Sequence, residues 1–260
     1  MLTAKQINIQ IGSLNLAKNI DFELKPGQVT AILGPNGTGK STLLKALFGD
    51  IKLESGEVNY GDNSLTHNSL THNSLSQWRS QFGYMPQDIN LDVNLTAIEV
   101  VLLGQLDALS LRVGNDTLHK ALGILDQIGL SHLANKDVSK LSGGQRQMIL
   151  FAQALMREPK IMMLDEPVSA LDLHYQHVLL EHLVSQTRER EYVTIMVLHD
   201  LNLAAQYADN LLVLKNGHLV ASGHPKAILT SDLVQSIYDV QAQVINDEHG
   251  VPFIRTTRAY

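Results

Sequence analysis

The chain has 260 residues, 44% of them hydrophobic and 18% charged, with a net charge of −6 and no cysteine. That length suits one α/β domain, or a core with a modest inserted subdomain, and the composition fits a globular protein with a sizeable buried core. The missing cysteine excludes disulfides, thiolate metal sites and a cysteine nucleophile, and the mildly acidic balance argues against sequence-blind nucleic-acid binding. The opening residues lack an apolar signal core, and no apolar run approaches the roughly 18 residues of a membrane span. The expectation is a soluble cytosolic chain that reaches a membrane only through a protein partner.

In chain order, residues 6–11 and 19–24 read as two short strands, the second leading to a turn around Pro26 and Gly27. Residues 29–33 form a β-rich apolar run of the buried type. A glycine-rich loop comes next, then a helix over 41–48 stopped at Gly49. A strand is expected at 56–60. Ser-Leu-Thr-His-Asn then occurs twice, at 64–68 and 69–73, too short a repeat for a solenoid and consistent with a duplicated surface loop; His67 and His72 as a metal pair have no further support. From about 90 to 158 the pattern is helical. Helices are predicted over 96–104, over 116–128 with Leu118, Leu122 and Leu125 on one face, and over 142–156. Strands return at 161–164, 194–198 and 211–214, and an Asn-Gly turn leads to a last strand at 218–221. Helix-rich sequence thus interrupts an α/β core.

Gly34, Pro35, Asn36, Gly37, Thr38, Gly39, Lys40, Ser41 and Thr42 fit G-x-x-x-x-G-K-[ST] at every position, between an expected strand and an expected helix. Such a loop turns backbone N–H groups toward phosphate, and the helix N-terminus adds its dipole. Lys40 is expected to reach the β- and γ-phosphates of ATP, and the Ser41 hydroxyl to ligate Mg²⁺. The strand at 161–164 runs into Asp165 and Glu166. Carboxylates at the C-terminal edge of such a sheet sit beside the phosphate loop. Asp165 is the expected second Mg²⁺ ligand, and Glu166 the group that orients and polarises the attacking water.

With these residues in order, the chain resembles the ATP-binding cassette ATPases over essentially its whole length. Leu141, Ser142, Gly143, Gly144 and Gln145 are identical to that family's signature peptide. The resemblance implies that Ser142, Gly143, Gly144 and Gln145 contact ATP held by a second copy of the chain. It gives Gln87 as a link between Mg²⁺, water and the helical subdomain. It makes Ser169, Ala170, Leu171 and Asp172 a loop crossing the dimer interface, and His199 the residue that holds the γ-phosphate and water together with Glu166. The implied fold is a P-loop NTPase (RecA-like) core, residues 1–87 and 157–235, with an N-terminal antiparallel β subdomain. Residues 88–156 would be an inserted helical subdomain and 236–260 a C-terminal lobe, with one transporter domain spanning about 3–235. The family often stacks adenine on an aromatic residue in the first strands; here Ile11 stands in that stretch without one.

Residues 167–176, 198–209, 221–226 and 236–244 resemble the ATPases that power bacterial uptake of iron-siderophore, haem and cobalamin complexes. This implies a homodimer, with ATP and Mg²⁺ as cofactors, on the cytoplasmic face of the inner membrane. Its partners would be two membrane permease subunits and, indirectly, a periplasmic or lipid-anchored solute-binding protein, without nucleic acid. The expected cargo is a ferric siderophore first, haem next and cobalamin third. A non-transport cassette ATPase, such as an assembly scaffold, is the alternative. His174, His177 and His182 lie on an expected helix, where solvated or interface histidines are the plainer reading.

Overall fold

Two phases of alternating hydrophobicity open the chain. In β1 (Leu2–Ile11), Leu2 and Ala4 are buried, then Ile7 and Ile9; the alternation slips by one at Lys5 and Gln6. Gln6 takes a positive φ of 49°, and the pairing with β2 (Leu14–Leu24) shifts register between Ala4 and Ile7. A bulge thus keeps both apolar phases on one face. This is why β1 begins four residues before the predicted strand at 6–11. The computed structural model describes residues 1–66, 72–87, 94–108 and 114–259, with only the backbone of 72–73, 106–108 and 259.

β3 (Gln28–Leu33) is buried along nearly its whole length and leads through the glycine-rich loop into α1 (Lys40–Phe48). β4 (Ser55–Tyr60) and β5 (Asn63–Thr66) complete an antiparallel sheet of order β2-β1-β4-β5. The second copy of the repeat falls mostly outside the described residues, as does His67; His72 opens α2 (His72–Arg79). Trp78 on α2 is buried and donates Nε1–H to the Leu47 carbonyl at 2.9 Å. β6 (Phe82–Met85) comes next.

Among the described residues, three α-helices make the helical region. α3 (Ala97–Leu102) starts at a capping box, in which Glu99 Oε2 accepts from the Thr96 N–H at 2.7 Å. The predicted helix over 96–104 is shorter as an α-helix and tightens after Leu102 into a 3-10 segment, Leu103–Ala108. Gly104 there lies so close to α5 (Gly143–Met156) that a Cβ would stand 2.3 Å from the Gln153 carbonyl oxygen. α4 (Asn115–Gln127) presents a different face from the predicted one. Ala121 and Leu125 are buried, whereas Leu118 and Leu122 are 38% and 37% exposed. Thr117, Ala121, Ile124 and Leu125 form the stripe turned inward, one step round the helix from the Leu118–Leu122 line.

β7 (Ile161–Asp165) and β8 (Val193–Val197) are buried at every position, as parallel strands covered on both faces require. α6 (Leu173–Arg190) joins them, and α7 (Leu201–Tyr207) leads to β9 (Asn210–Lys215). The Asn216–Gly217 pair, both at positive φ, turns the chain into β10 (His218–Gly223). The six-stranded sheet has the order β10-β9-β3-β8-β7-β6, parallel except for β10. β10 is not the last strand. After α8 (Pro225–Ile228) and α9 (Ser231–Tyr238), the chain forms a hairpin of β11 (Val240–Asn246) and β12 (Pro252–Ala259). The Asn202 side chain on α7 pairs with the Ile254 backbone of β12, accepting its N–H at 2.7 Å. No helix among the described residues is long and apolar enough to cross a membrane.

Candidate nucleotide-binding and hydrolytic site

β3, β7 and β8 run parallel and end at the same edge of the sheet, so the loops leaving their C-terminal ends meet there. After β3 comes the loop Gly34–Lys40. Two of its glycines cannot be replaced without movement. A Cβ on Gly34 would stand 2.2 Å from the Leu214 carbonyl oxygen, and one on Gly39, at φ 91°, 2.5 Å from that of Leu16. Lys40 is buried and donates Nζ–H to the carbonyls of Gly34 at 2.8 Å and Pro35 at 3.0 Å. Burial lowers its pKa, while the nearby Glu166 and Asp165 carboxylates oppose that shift. Thr38 Oγ1 donates to the Pro35 carbonyl at 2.9 Å and so ties the loop to itself.

β7 delivers Asp165 and Glu166. Asp165 Oδ1 accepts from the Ser41 hydroxyl at 2.8 Å. Its Oδ2 is buried and has no hydrogen-bond partner among the described residues. Burial holds this carboxyl above the usual carboxylate range, against the Ser41 hydrogen bond. A buried carboxylate with one orphaned oxygen beside a hydroxyl suits a hard dication such as Mg²⁺. Ser41 and Asp165 are the residues that would hold it, and phosphate and water would complete its shell. Bound there, it would supply neutralisation of charge on the β- and γ-phosphates.

Glu166 has φ 51°, the left-handed region, which costs a residue with a Cβ about 1–2 kcal/mol. The consequence is visible in where its carboxylate goes. Oε2 accepts from Gln87 Nε2 at 2.8 Å, and Oε1 stands 2.5 Å from His199 Nε2, just past the end of β8. Three residues from three separate stretches of sequence therefore converge at one carboxylate. Together with Asn36, Gly37, Gly39, Lys40, Ser41 and Thr42 they line a cleft of about 590 Å³, within the range of small-molecule sites.

Ser142, Gly143, Gly144 and Gln145 do not line that cleft. Ser142 caps α5 in a capping box with Gln145: Gln145 N–H donates to Ser142 Oγ at 3.2 Å, and Gln145 Oε1 accepts from Ser142 N–H at 3.1 Å. Ser142 and Gly143 are exposed. In the segment Ser169–Asp172, Ser169 Oγ donates to the Glu166 carbonyl at 3.1 Å and Asp172 caps α6. The chain thus presents a cleft around its glycine-rich loop and an exposed helix start on different parts of its surface.

Four residues escaped the sequence reading. Leu14 and Leu16, at the start of β2, line the cleft, whereas Ile11 does not. Their alternation was the available signal, lost because the strand was expected to begin at 19. Tyr238, at the end of α9, accepts the Gly34 N–H at 3.0 Å; burial pushes its hydroxyl up to about 12, so it stays neutral at ordinary pH. Gln147 is the fourth. The histidines of α6 point to different partners: His177 Nδ1 stands 2.6 Å from the Tyr207 hydroxyl, and the rings of His174 and His182 lie edge-on to Tyr175 and Phe151. Among the described residues no three His, Cys, Asp or Glu side chains gather as a metal site.

The family model described as ABC transporter matches residues 17–169. Among curated proteins, the chain is 39% identical to the Hemin import ATP-binding protein HmuV of Photobacterium damsela subsp. piscicida, over 97% of this chain and 95% of that protein. It is 35% identical to the Ferric enterobactin transport ATP-binding protein FepC of Escherichia coli (strain K12), over 97% of this chain and 93% of that protein. Among solved structures, the dimeric structure of a bacterial ABC transporter cassette matches with a TM-score of 0.77 at 30% identity, covering 86% of this chain and 98% of the other.

Proposed function

Because this chain belongs to the ABC transporter family, and is on that ground a P-loop ATPase, we propose that it is the ATP-hydrolysing subunit of a bacterial importer for an iron chelate. The observation that carries the hydrolytic part is the Glu166 carboxylate, held between Gln87 and His199 at the mouth of the phosphate loop. Glu166 takes the proton of the water that attacks the γ-phosphorus, while Gln87 and His199 keep the carboxylate aimed at it. Lys40 and the loop N–H groups hold the phosphates, and Ser41 and Asp165, with Gln87 beyond them, form the Mg²⁺ side.

The exposed start of α5 supports a site completed in trans. Ser142, Gly143, Gly144 and Gln145 of one copy would close over the ATP of the other, with Ser169–Asp172 at the seam between them. Leu14 and Leu16 give the adenine end an aliphatic wall. Each copy would dock one of the two permease subunits at a second cleft of about 470 Å³ next to Gln87, lined by Phe48, Arg79, Tyr84, Pro86, Leu103 and Arg157 among others. Closure of the ATP dimer then moves the permease, and phosphate release reopens it. A solute-binding protein outside the membrane would deliver the cargo, and the ATPase would work from the cytoplasmic face.

The names of the relatives, hemin import and ferric enterobactin transport, support an iron chelate as cargo. Haem and ferric siderophore are therefore tested side by side, with cobalamin as the third solute. In a strain lacking this gene, growth on one of these solutes as sole source is expected to fail and to return with the wild-type gene but not with Lys40→Ala. Unimpaired use of all three, or co-purification with a soluble assembly complex instead of a permease, overturns the transport reading.

A further inference from the structure

We infer that Gln147 is a positioning residue for the hydrolytic step, holding Glu166 in its left-handed backbone conformation. The inference rests on the reading of Glu166 as the group that activates water. Gln147 lies on α5, is 8% exposed, and uses both ends of its carboxamide. Nε2 donates to the Glu166 carbonyl at 3.0 Å, and Oε1 accepts from the Ala170 N–H at 3.1 Å. The same Glu166 carbonyl also receives Ser169 Oγ at 3.1 Å and Ser169 N–H at 3.3 Å.

A non-glycine residue at φ 51° persists only where its surroundings over-determine it. Three donors on one carbonyl do so here, and two of them belong to the turn itself. Gln147 is the one that comes from another element. Returning Glu166 to negative φ would swing its carbonyl off Gln147 and its carboxylate away from Gln87 and His199. Helix α5 meets the turn at a second point as well: a Cβ on Gly144 would stand 3.0 Å from the Ala170 carbonyl oxygen. The helix that begins at the exposed Ser142 and the turn that aims Glu166 are therefore fastened together within one chain.

Two variants separate the hydrogen bonds to Glu166 and Ala170. Gln147→Leu removes both. Gln147→Glu keeps an acceptor for Ala170 N–H and loses the donor to Glu166. Steady-state ATP hydrolysis and residue-resolved amide exchange are measured on the full chain, with Tm as a control. In both variants kcat is expected to fall by at least about tenfold while KM for ATP stays within about twofold. Exchange at the Ala170 amide is expected to accelerate in Gln147→Leu and to stay near wild type in Gln147→Glu. Wild-type turnover by Gln147→Glu overturns the inference. So does a loss of kcat that arrives with raised KM or a fall of Tm in both variants, because that marks a packing role. If the wild-type chain itself does not hydrolyse ATP, the reading of Glu166 falls instead. Unchanged Ala170 exchange in Gln147→Leu then still removes the anchor.

Discussion

Lys40 is the residue with most to gain from phosphate. It is buried, its pKa is lowered by that burial, and two of its three donors are occupied by carbonyls of its own loop. Phosphate oxygens replace neutral acceptors with charged ones, and a hydrogen bond to a charged group contributes about 1.5–3 kcal/mol. Lys40→Ala is therefore expected to weaken ATP binding by about tenfold or more in an equilibrium titration, and unchanged affinity would contradict the assignment. Lys40, Ser41 and Asp165 were legible in the sequence because their spacing is dictated by a strand, a loop and a helix start. Gln87 and His199 were legible only in company: each alone is an ordinary polar residue, and only the fold puts both on Glu166. Tyr238 left no signal, since its partner Gly34 is 204 positions away and the contact depends on where α9 packs. Gln147 was equally silent, because a glutamine inside an apolar helix reads the same whether it faces solvent or a backbone turn.

Among the elements, the buried strands were the plainest to read, because continuous apolar runs between turn signals leave little choice. α4 was harder. A 3-4 periodicity of leucines marks a helix but does not say which of two adjacent stripes is covered, and here Ala121 takes the inner position while Leu118 and Leu122 stay at the surface. The two stripes make opposite predictions for stability. Leu125→Ala, at a fully buried site, is expected to cost about 2–5 kcal/mol in denaturant unfolding. Leu118→Ala is expected to stay within about 0.5 kcal/mol. Equal losses would contradict the observed face. β11 and β12 were missed as strands because they form a two-stranded sheet with one covered side: Ala242 and Ile254 are buried, while Ile245 and Phe253 are exposed. That pattern is too sparse to announce itself. The hairpin is secured from outside, by α9, which packs against β11, and by Asn202, whose side chain mimics a strand partner for Ile254.

At the scale of the molecule, the two proposed halves of a hydrolytic site lie on one chain but do not meet. The cleft holds Lys40, Ser41, Gln87, Glu166 and His199, while Ser142 and Gly143 stand exposed at the start of α5. In the proposed dimer, a second copy turned to face the first would bring each helix start to the other's cleft and close two sites at once, as a two-fold interface does. The most direct test is the solution mass of Glu166→Gln with and without Mg-ATP, by light scattering on a chain of 28.7 kDa. Removing the proposed base while keeping the cradle is expected to leave ATP bound, halt turnover and shift the population to a mass twice that of the chain. A variant that binds ATP yet keeps the mass of a single chain, or one that still turns over at the wild-type rate, would contradict the account.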